Sequence, residues 1–206
     1  MKTSKTFSSN KRNILSLQDL SAVEITRLLR LAMKLKRDLR ADRKTNFLQG
    51  KTLGMVFQKP STRTRLSFEV GMQQLGGHAV YLNATDIQLS RGETIEDTAR
   101  TLSLYTDCIM ARVYSHADIE ALARYSSVPV INGLSDAYHP CQILADLMTI
   151  QEQKGKLRGL RLAWLGDGDN VCNDLVIGCA KTGIHVSVAC PRGYEPLKEA
   201  VDAALA

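Results

Sequence analysis

The stretch TLGMVFQKPSTRTRLSFEVGMQQLGG, Thr52–Gly77, predicts a strand, a turn closed by Pro60 and a helix whose first turn is Ser61-Thr62-Arg63-Thr64-Arg65. The strand is expected over Thr52 to Phe57, after the break at Gly50, and the helix stops at Gly76-Gly77, where glycine permits the left-handed terminal residue. A helix N-terminus already carries unpaired N–H groups and roughly +0.5 of a charge. Arg63 and Arg65 in that first turn are therefore unfavourable unless an anion sits between them and the backbone. Ser61 alone suffices as a cap, so Thr62, Thr64 and the two guanidiniums point to a phosphate or carboxylate site.

Outward from that segment the strand–helix alternation continues. His78 to Leu82 predicts a second strand, and Asn83 to Gly92 a polar connection longer than the usual ~4–6 residues, one that moves, binds or reaches a neighbour. A helix starts at Thr94-Ile-Glu-Asp97. Asp107 to Ala111 is a third apolar run ending at Arg112, followed by a helix over about Ser115 to Arg124. Val128 to Ile131 predicts the fourth strand, and Asn132 to His139 a loop ending at Pro140. The next helix carries Ile143, Leu144, Leu147, Met148 and Ile150, enough for burial on more than one side. Upstream, Ser21 and Glu24 have capping-box spacing, and Ile25, Leu28, Leu29, Ala32, Leu35 and Leu39 recur at helical intervals. Lys34, Lys36, Arg37 and Arg40 then read as a solvated helix end.

Lys154 to Gly159, KGKLRG, is the best linker candidate. Beyond it come a strand (Leu160 to Leu165), the loop Gly166-Asp-Gly-Asp-Asn170, a helix to about Lys181, a strand (Ile184 to Ala189) and a last helix opening at Glu195-Pro196 and running to Ala206. The expected architecture is α/β: a parallel-sheet domain over 1–153 with helices on both faces, then the first part of a second, Rossmann-like domain over 154–206. A unit of two strands is marginal by itself.

Composition narrows the partners. Of 206 residues, 44% are apolar and 23% charged, a globular balance, and no apolar run approaches the ~20 residues that span a bilayer. The +6 net charge suits a small anionic substrate, and with 5% aromatic residues there is no stacking platform for nucleic acid. Part of that charge lies in the acid-free start MKTSKTFSSNKR, too short and polar for a signal peptide. Cys108, Cys141, Cys172, Cys179 and Cys190 are odd in number and scattered without a Cys-x-x-Cys pair, which predicts free thiols in a reducing cytoplasm and no zinc site.

In a parallel sheet, ligands bind outside the carboxyl ends of the strands. That edge gathers distant segments: Ser61 to Arg65 after the first strand, Arg112 after the third, and His139 with Gln142 after the fourth. Alone, Arg112 reads as a solvated strand end, His139 as a residue leading into a helix, and Gln142 as uninformative; the shared edge is what makes them a set.

Pro60-Ser-Thr-Arg-Thr-Arg65, Arg91-Gly-Glu93 with Asp97-Thr-Ala-Arg100, and His139-Pro-Cys-Gln142, in this order, resemble the transcarbamoylase family. Gln88-Leu-Ser-Arg-Gly-Glu93 and Gly166-Asp-Gly-Asp-Asn170 are similar to its ornithine branch more than to its aspartate branch, and the resemblance runs from about Asn13 to the last residue. It implies a carbamoyl phosphate site made by Ser61, Thr62, Arg63 and Thr64, with Arg112, His139 and Gln142 around the carbamoyl group, and transfer to ornithine giving citrulline and phosphate. Arg63, Thr64, Arg112, His139 and Gln142 are the implied catalytic set, without metal, cofactor or covalent nucleophile. It further implies a homotrimer in which Gln88 enters an adjacent subunit's site, a contact from Asn170 to the amino-acid group of ornithine, and a place in arginine biosynthesis or the urea cycle.

Two departures bear on this. The family usually has two asparagines where Asp169-Asn170 stands. Its later amine-holding motifs have no counterpart, so a C-terminally truncated chain with a whole carbamoyl phosphate half and a partial ornithine half is expected. The alternatives are a carbamoyl-phosphate-binding fragment without turnover and a putrescine carbamoyltransferase. A dinucleotide fold fails on detail, since Val171 occupies the third glycine position and Cys190-Pro191 replaces the acid after the next strand. Asp167 and Asp169 lack the rest of a calcium loop.

Overall fold

The computed structural model describes residues 11–205. Within them the order is α1 (Ala22–Arg40), β1 (Thr52–Phe57), α2 (Thr62–Gln74), β2 (His78–Asn83), α3 (Ile95–Tyr105), β3 (Cys108–Arg112), α4 (His116–Tyr125), β4 (Val130–Leu134), α5 (Pro140–Lys154), β5 (Arg161–Leu165), α6 (Asn170–Thr182), β6 (His185–Ala189) and α7 (Lys198–Leu205). The first ten residues of the basic N-terminus, and Ala206, lie outside the described residues.

Four strands form a parallel sheet in the order β2-β1-β3-β4. Its two faces follow from the period of 2 along each strand. Leu53, Met55 and Phe57 of β1, with Met110 of β3, point to one side, where Phe68 and Met72 of α2 cover them. Val56 of β1, with Ile109 and Ala111 of β3, points to the other, against Ala99 of α3 and Ile119, Leu122 and Ala123 of α4. Helices thus cover both faces, as the alternating sequence pattern requires. β5 and β6 form a separate parallel pair.

A third apolar cluster joins the two ends of the chain. Leu17, Leu20, Ile25 and Leu29 near the N-terminus pack with Ile143 and Leu147 of α5 and with Cys172, Val176 and Ile177 of α6. Helix α5 therefore buries one side on α6 and α1 and meets β4 with another, which accounts for its many apolar positions. Gly178 lets α6 approach this closely: a Cβ there would stand 2.8 Å from Leu17 Cδ1 and 2.9 Å from Ile143 Cγ2.

Most expected elements are present, with three differences. Residues 11–20, to which the sequence pattern assigns no element, carry structure: Ile14 bridges Ile131 beside β4, and Ser16 and Asp19 form a capping box around a 3-10 turn that buries Leu17. The fourth strand runs later than expected, to Leu134, because Asn132 and Gly133 fit the interior. Asn132 donates to Leu15 O and Tyr138 O, and Gly133 leaves the space that Met110 Sδ fills. The last helix starts at Lys198, not Glu195, because Leu197 N donates to Asn173 Oδ1 and holds the preceding segment on α6. The charge cluster at the end of α1 is partly engaged, with Lys34 paired to Asp38 and Lys36 to Glu152 of α5.

Candidate active site

The crossovers leave β1 and β3 in opposite directions, so the crevice of this sheet opens between their carboxyl ends. Phe57 of β1 lies in register with Arg112 of β3, so the Ser61 turn and Arg112 leave the sheet at the same edge and level. Gln58 fixes this neighbourhood: its N–H donates to Arg112 O (2.9 Å), its Oε1 accepts from Tyr114 N (2.9 Å), and its Nε2 donates to Asp118 Oδ2 (2.8 Å). The sequence reading missed Gln58; its one visible signal is a polar residue between a buried strand and the Lys59-Pro60 turn.

Ser61 caps α2, its hydroxyl accepting from Thr64 N at 3.2 Å. That leaves the Thr62 and Arg63 amides at the open end of the helix, where an anion is favoured. Arg63 is exposed and, among the described residues, has no carboxylate partner. Arg65 differs from the expectation: its guanidinium pairs with Glu69 (3.0 Å) and stacks 3.7 Å over the Tyr81 ring. Only Arg63 of the two needs an anion from outside.

Arg112 and His139 form the interior of the site. Among the described residues, Arg112 Nε and His139 Nδ1 are both buried without a hydrogen-bond partner, as is Asn132 Oδ1 of β4. An unmade hydrogen bond at a buried polar atom costs about 1–3 kcal/mol, so two together mark a place built for something else. Burial holds the Arg112 guanidinium below its ordinary range. Burial first, and then the Arg112 charge, lower His139 to about 4 against a smaller pull from Asp169. His139 is therefore a neutral imidazole at neutral pH, able to donate one N–H to a carbonyl oxygen.

His139 caps α5 with its backbone N–H held by Asp174 Oδ2 at 2.8 Å. Gln142, one turn on, is exposed, and its Nε2 donates to Asp146 Oδ1 (2.9 Å), along the helix. Gln88 opens a 3-10 turn in the long connection after β2, exposed and without a side-chain bond to the other candidates. Asn170 begins α6, and its Nδ2 donates to Ser135 O in the loop that leads to His139. The departure at Asp169 has a structural account: it is the N-cap of α6, its Oδ1 accepting from Val171 N (2.9 Å) and Cys172 N (3.0 Å).

Residues 12–152 match the family model described as aspartate/ornithine carbamoyltransferase, carbamoyl-P binding domain, and residues 158–206 the one described as its Asp/Orn binding domain. The ornithine carbamoyltransferase of Methanosarcina acetivorans is 58% identical over 196 residues, covering 95% of this chain and 65% of that relative. The solved ornithine carbamoyltransferase of Pyrococcus furiosus superposes with a TM-score of 0.91 at 56% identity, over 94% of this chain and 62% of that one. The aspartate transcarbamoylase catalytic subunit of M. jannaschii gives 0.83 at 32% identity, over 94% and 65%. The chain thus spans about 65% of the length of the curated relatives it matches. With both family models and relatives of this identity matched along its length, the chain belongs to the aspartate/ornithine carbamoyltransferase family.

Proposed function

We propose that the protein binds carbamoyl phosphate at the β1–β3 crevice and transfers its carbamoyl group to the side-chain amine of ornithine, releasing citrulline and phosphate. The observation that carries this reading is the pair of unpartnered buried nitrogens on Arg112 and His139, beside a helix start whose free cation is Arg63. The phosphate lies against the Thr62 and Arg63 amides with the Arg63 fork and the Ser61, Thr62 and Thr64 hydroxyls around it. The carbamoyl oxygen takes hydrogen bonds from Arg112 and from neutral His139, joined by Thr64; Gln142 turns from Asp146 to the carbamoyl amide. As the amine attacks, a C–N bond forms, charge collects on that oxygen, and the C–O bond to phosphate breaks, the departing phosphate taking up the proton the amine sheds. Donors already fixed in a desolvated site stabilise such a charge by a few kcal/mol each.

The same reading gives Asn170 to the ornithine amino-acid group and Gln88 to a neighbouring subunit's site in a homotrimer. It puts the domain boundary at 153/154 and the reaction in cytoplasmic arginine metabolism. Titration calorimetry with carbamoyl phosphate, followed by a citrulline assay with ornithine, tests it. Arg63→Leu, at an exposed position, should leave stability within about 0.5 kcal/mol and weaken carbamoyl phosphate at least about tenfold. Unchanged affinity in that variant would put the phosphate elsewhere and overturn the assignment.

A further inference from the structure

Three polar side chains on one face of α6 grip the loop that delivers His139. Asn170 Nδ2 donates to Ser135 O, Asn173 Nδ2 donates to Ala137 O (3.0 Å), and Asp174 Oδ2 accepts from His139 N (2.8 Å). Positions i, i+3 and i+4 share a helix face, and the loop bends at Asp136 and Ala137, with Ser135 N donating to Tyr138 O (3.0 Å), which brings its backbone groups to that face. Asp174 does more than the others: its second oxygen accepts from Leu17 N at 2.6 Å, so one fully buried carboxylate ties the N-terminal segment, α6 and the start of α5. We propose that this face of α6 is a positioning clamp for His139, with Asp174 as the residue whose charge state decides how firmly the imidazole is held against carbamoyl phosphate. The clamp rests on the carbamoyl phosphate reading above and deepens it.

The chemistry of a buried carboxylate makes the clamp sensitive to protons. Ionised, Asp174 offers an acceptor to each amide; protonated, it carries an O–H where one of those donors needs a lone pair. Burial raises it to about 7, opposed by the two amides and by Lys181, while Asp19 of the 3-10 turn adds to the rise. Tyr138 of the loop and Cys141 of α5 also face it, both raised in part by its charge and so neutral near pH 7. Asp174 thus changes state near neutrality, where carboxylates ordinarily do not.

Calorimetry with carbamoyl phosphate between pH 6 and pH 8, on the 206-residue chain, tests the clamp. The wild-type Kd should weaken about tenfold from pH 8 to pH 6. Asp174→Asn, which sets an N–H donor against one of the amides, should bind about tenfold more weakly at pH 8 and change less than about twofold across the range. Asn173→Ala, which loses the Ala137 bond alone, should keep the wild-type slope. Equal affinity and slope in wild type and Asp174→Asn would overturn the clamp while leaving the carbamoyl phosphate site in place. Absence of any binding by the wild type would instead remove the site reading. In that event, or if Asp174→Asn does not fold, the wild-type protein labelled with 13C-histidine decides. The His139 ring signal, assigned by its loss in His139→Gln, should show an inflection near pH 7, and a flat trace there refutes the proposal.

Discussion

Replacing Arg112 by methionine tests the central claim with two effects of opposite sign. The side chain keeps its apolar stem and loses a guanidinium that is partly desolvated and whose Nε has no partner. A buried donor left unsatisfied costs about 1–3 kcal/mol, so Arg112→Met should stabilise the unliganded protein by about that amount. For a chain of this size each kcal/mol moves the melting temperature by about 2–4 °C, which predicts a rise of about 2–12 °C. Carbamoyl phosphate at 100 times its Kd should stabilise the wild type by about 2.7 kcal/mol, or roughly 5–11 °C, and Arg112→Met hardly at all. Adding ligand therefore closes the gap between the two proteins by about 2.7 kcal/mol, and reverses their rank wherever the variant's gain without ligand is smaller than that. The loss of the neighbouring cation should also lift His139 from its value of about 4, visible in its ring resonances. Differential scanning calorimetry with and without ligand reads the main effect. A variant that melts below the wild type without ligand, or one that still shifts with carbamoyl phosphate, would show that Arg112 is a structural cation and not the waiting half of a binding site.

Two other expectations concern pH and packing. His139 sits below its unfolded value, so its contribution to stability is complete above pH 6.5 and lost as pH falls toward about 4, a total of about 3 kcal/mol. Asp174 sits above its unfolded value, so its contribution is complete below 3.8 and lost as pH rises through about 7. The two slopes oppose each other over pH 4–6.5. His139→Gln should therefore unmask the Asp174 slope in urea titrations, with stability falling as pH rises, and parallel profiles for variant and wild type would contradict the assignment. Gly178→Ala should destabilise by about 1–3 kcal/mol, since its Cβ meets Leu17 and Ile143 inside 3 Å. A neutral result in chemical denaturation would mean that α6 is not seated as closely as described.

Local rules carried the sequence reading a long way. The β1–turn–α2 unit was legible because a strand has period 2, proline closes a turn and a hydroxyl caps a helix, each a property of a few neighbouring residues. Arg112, His139 and the Ser61 turn could be assigned to one edge because parallel connectivity puts all carboxyl ends on the same side. Other features depend on who stands nearby in space. Arg63 and Arg65 are indistinguishable in the pentad, yet only Arg65 finds Glu69 and the Tyr81 ring. In the sequence Asp169 is only a departure from the family's asparagine; in the structure its carboxylate caps α6. Leu17, Gln58 and Asp174 carry no motif at all. Their roles come from bonds spanning 157 residues between Leu17 and Asp174 and from the meeting of two strand ends, which periodicity along one segment does not encode. The sequence alone determined the elements, their order and the charged turn that an anion must complete, because those follow from covalent neighbours. The tertiary structure alone decided which polar atoms remain unpaired, and so where the chemistry is, because desolvation depends on everything that packs around an atom.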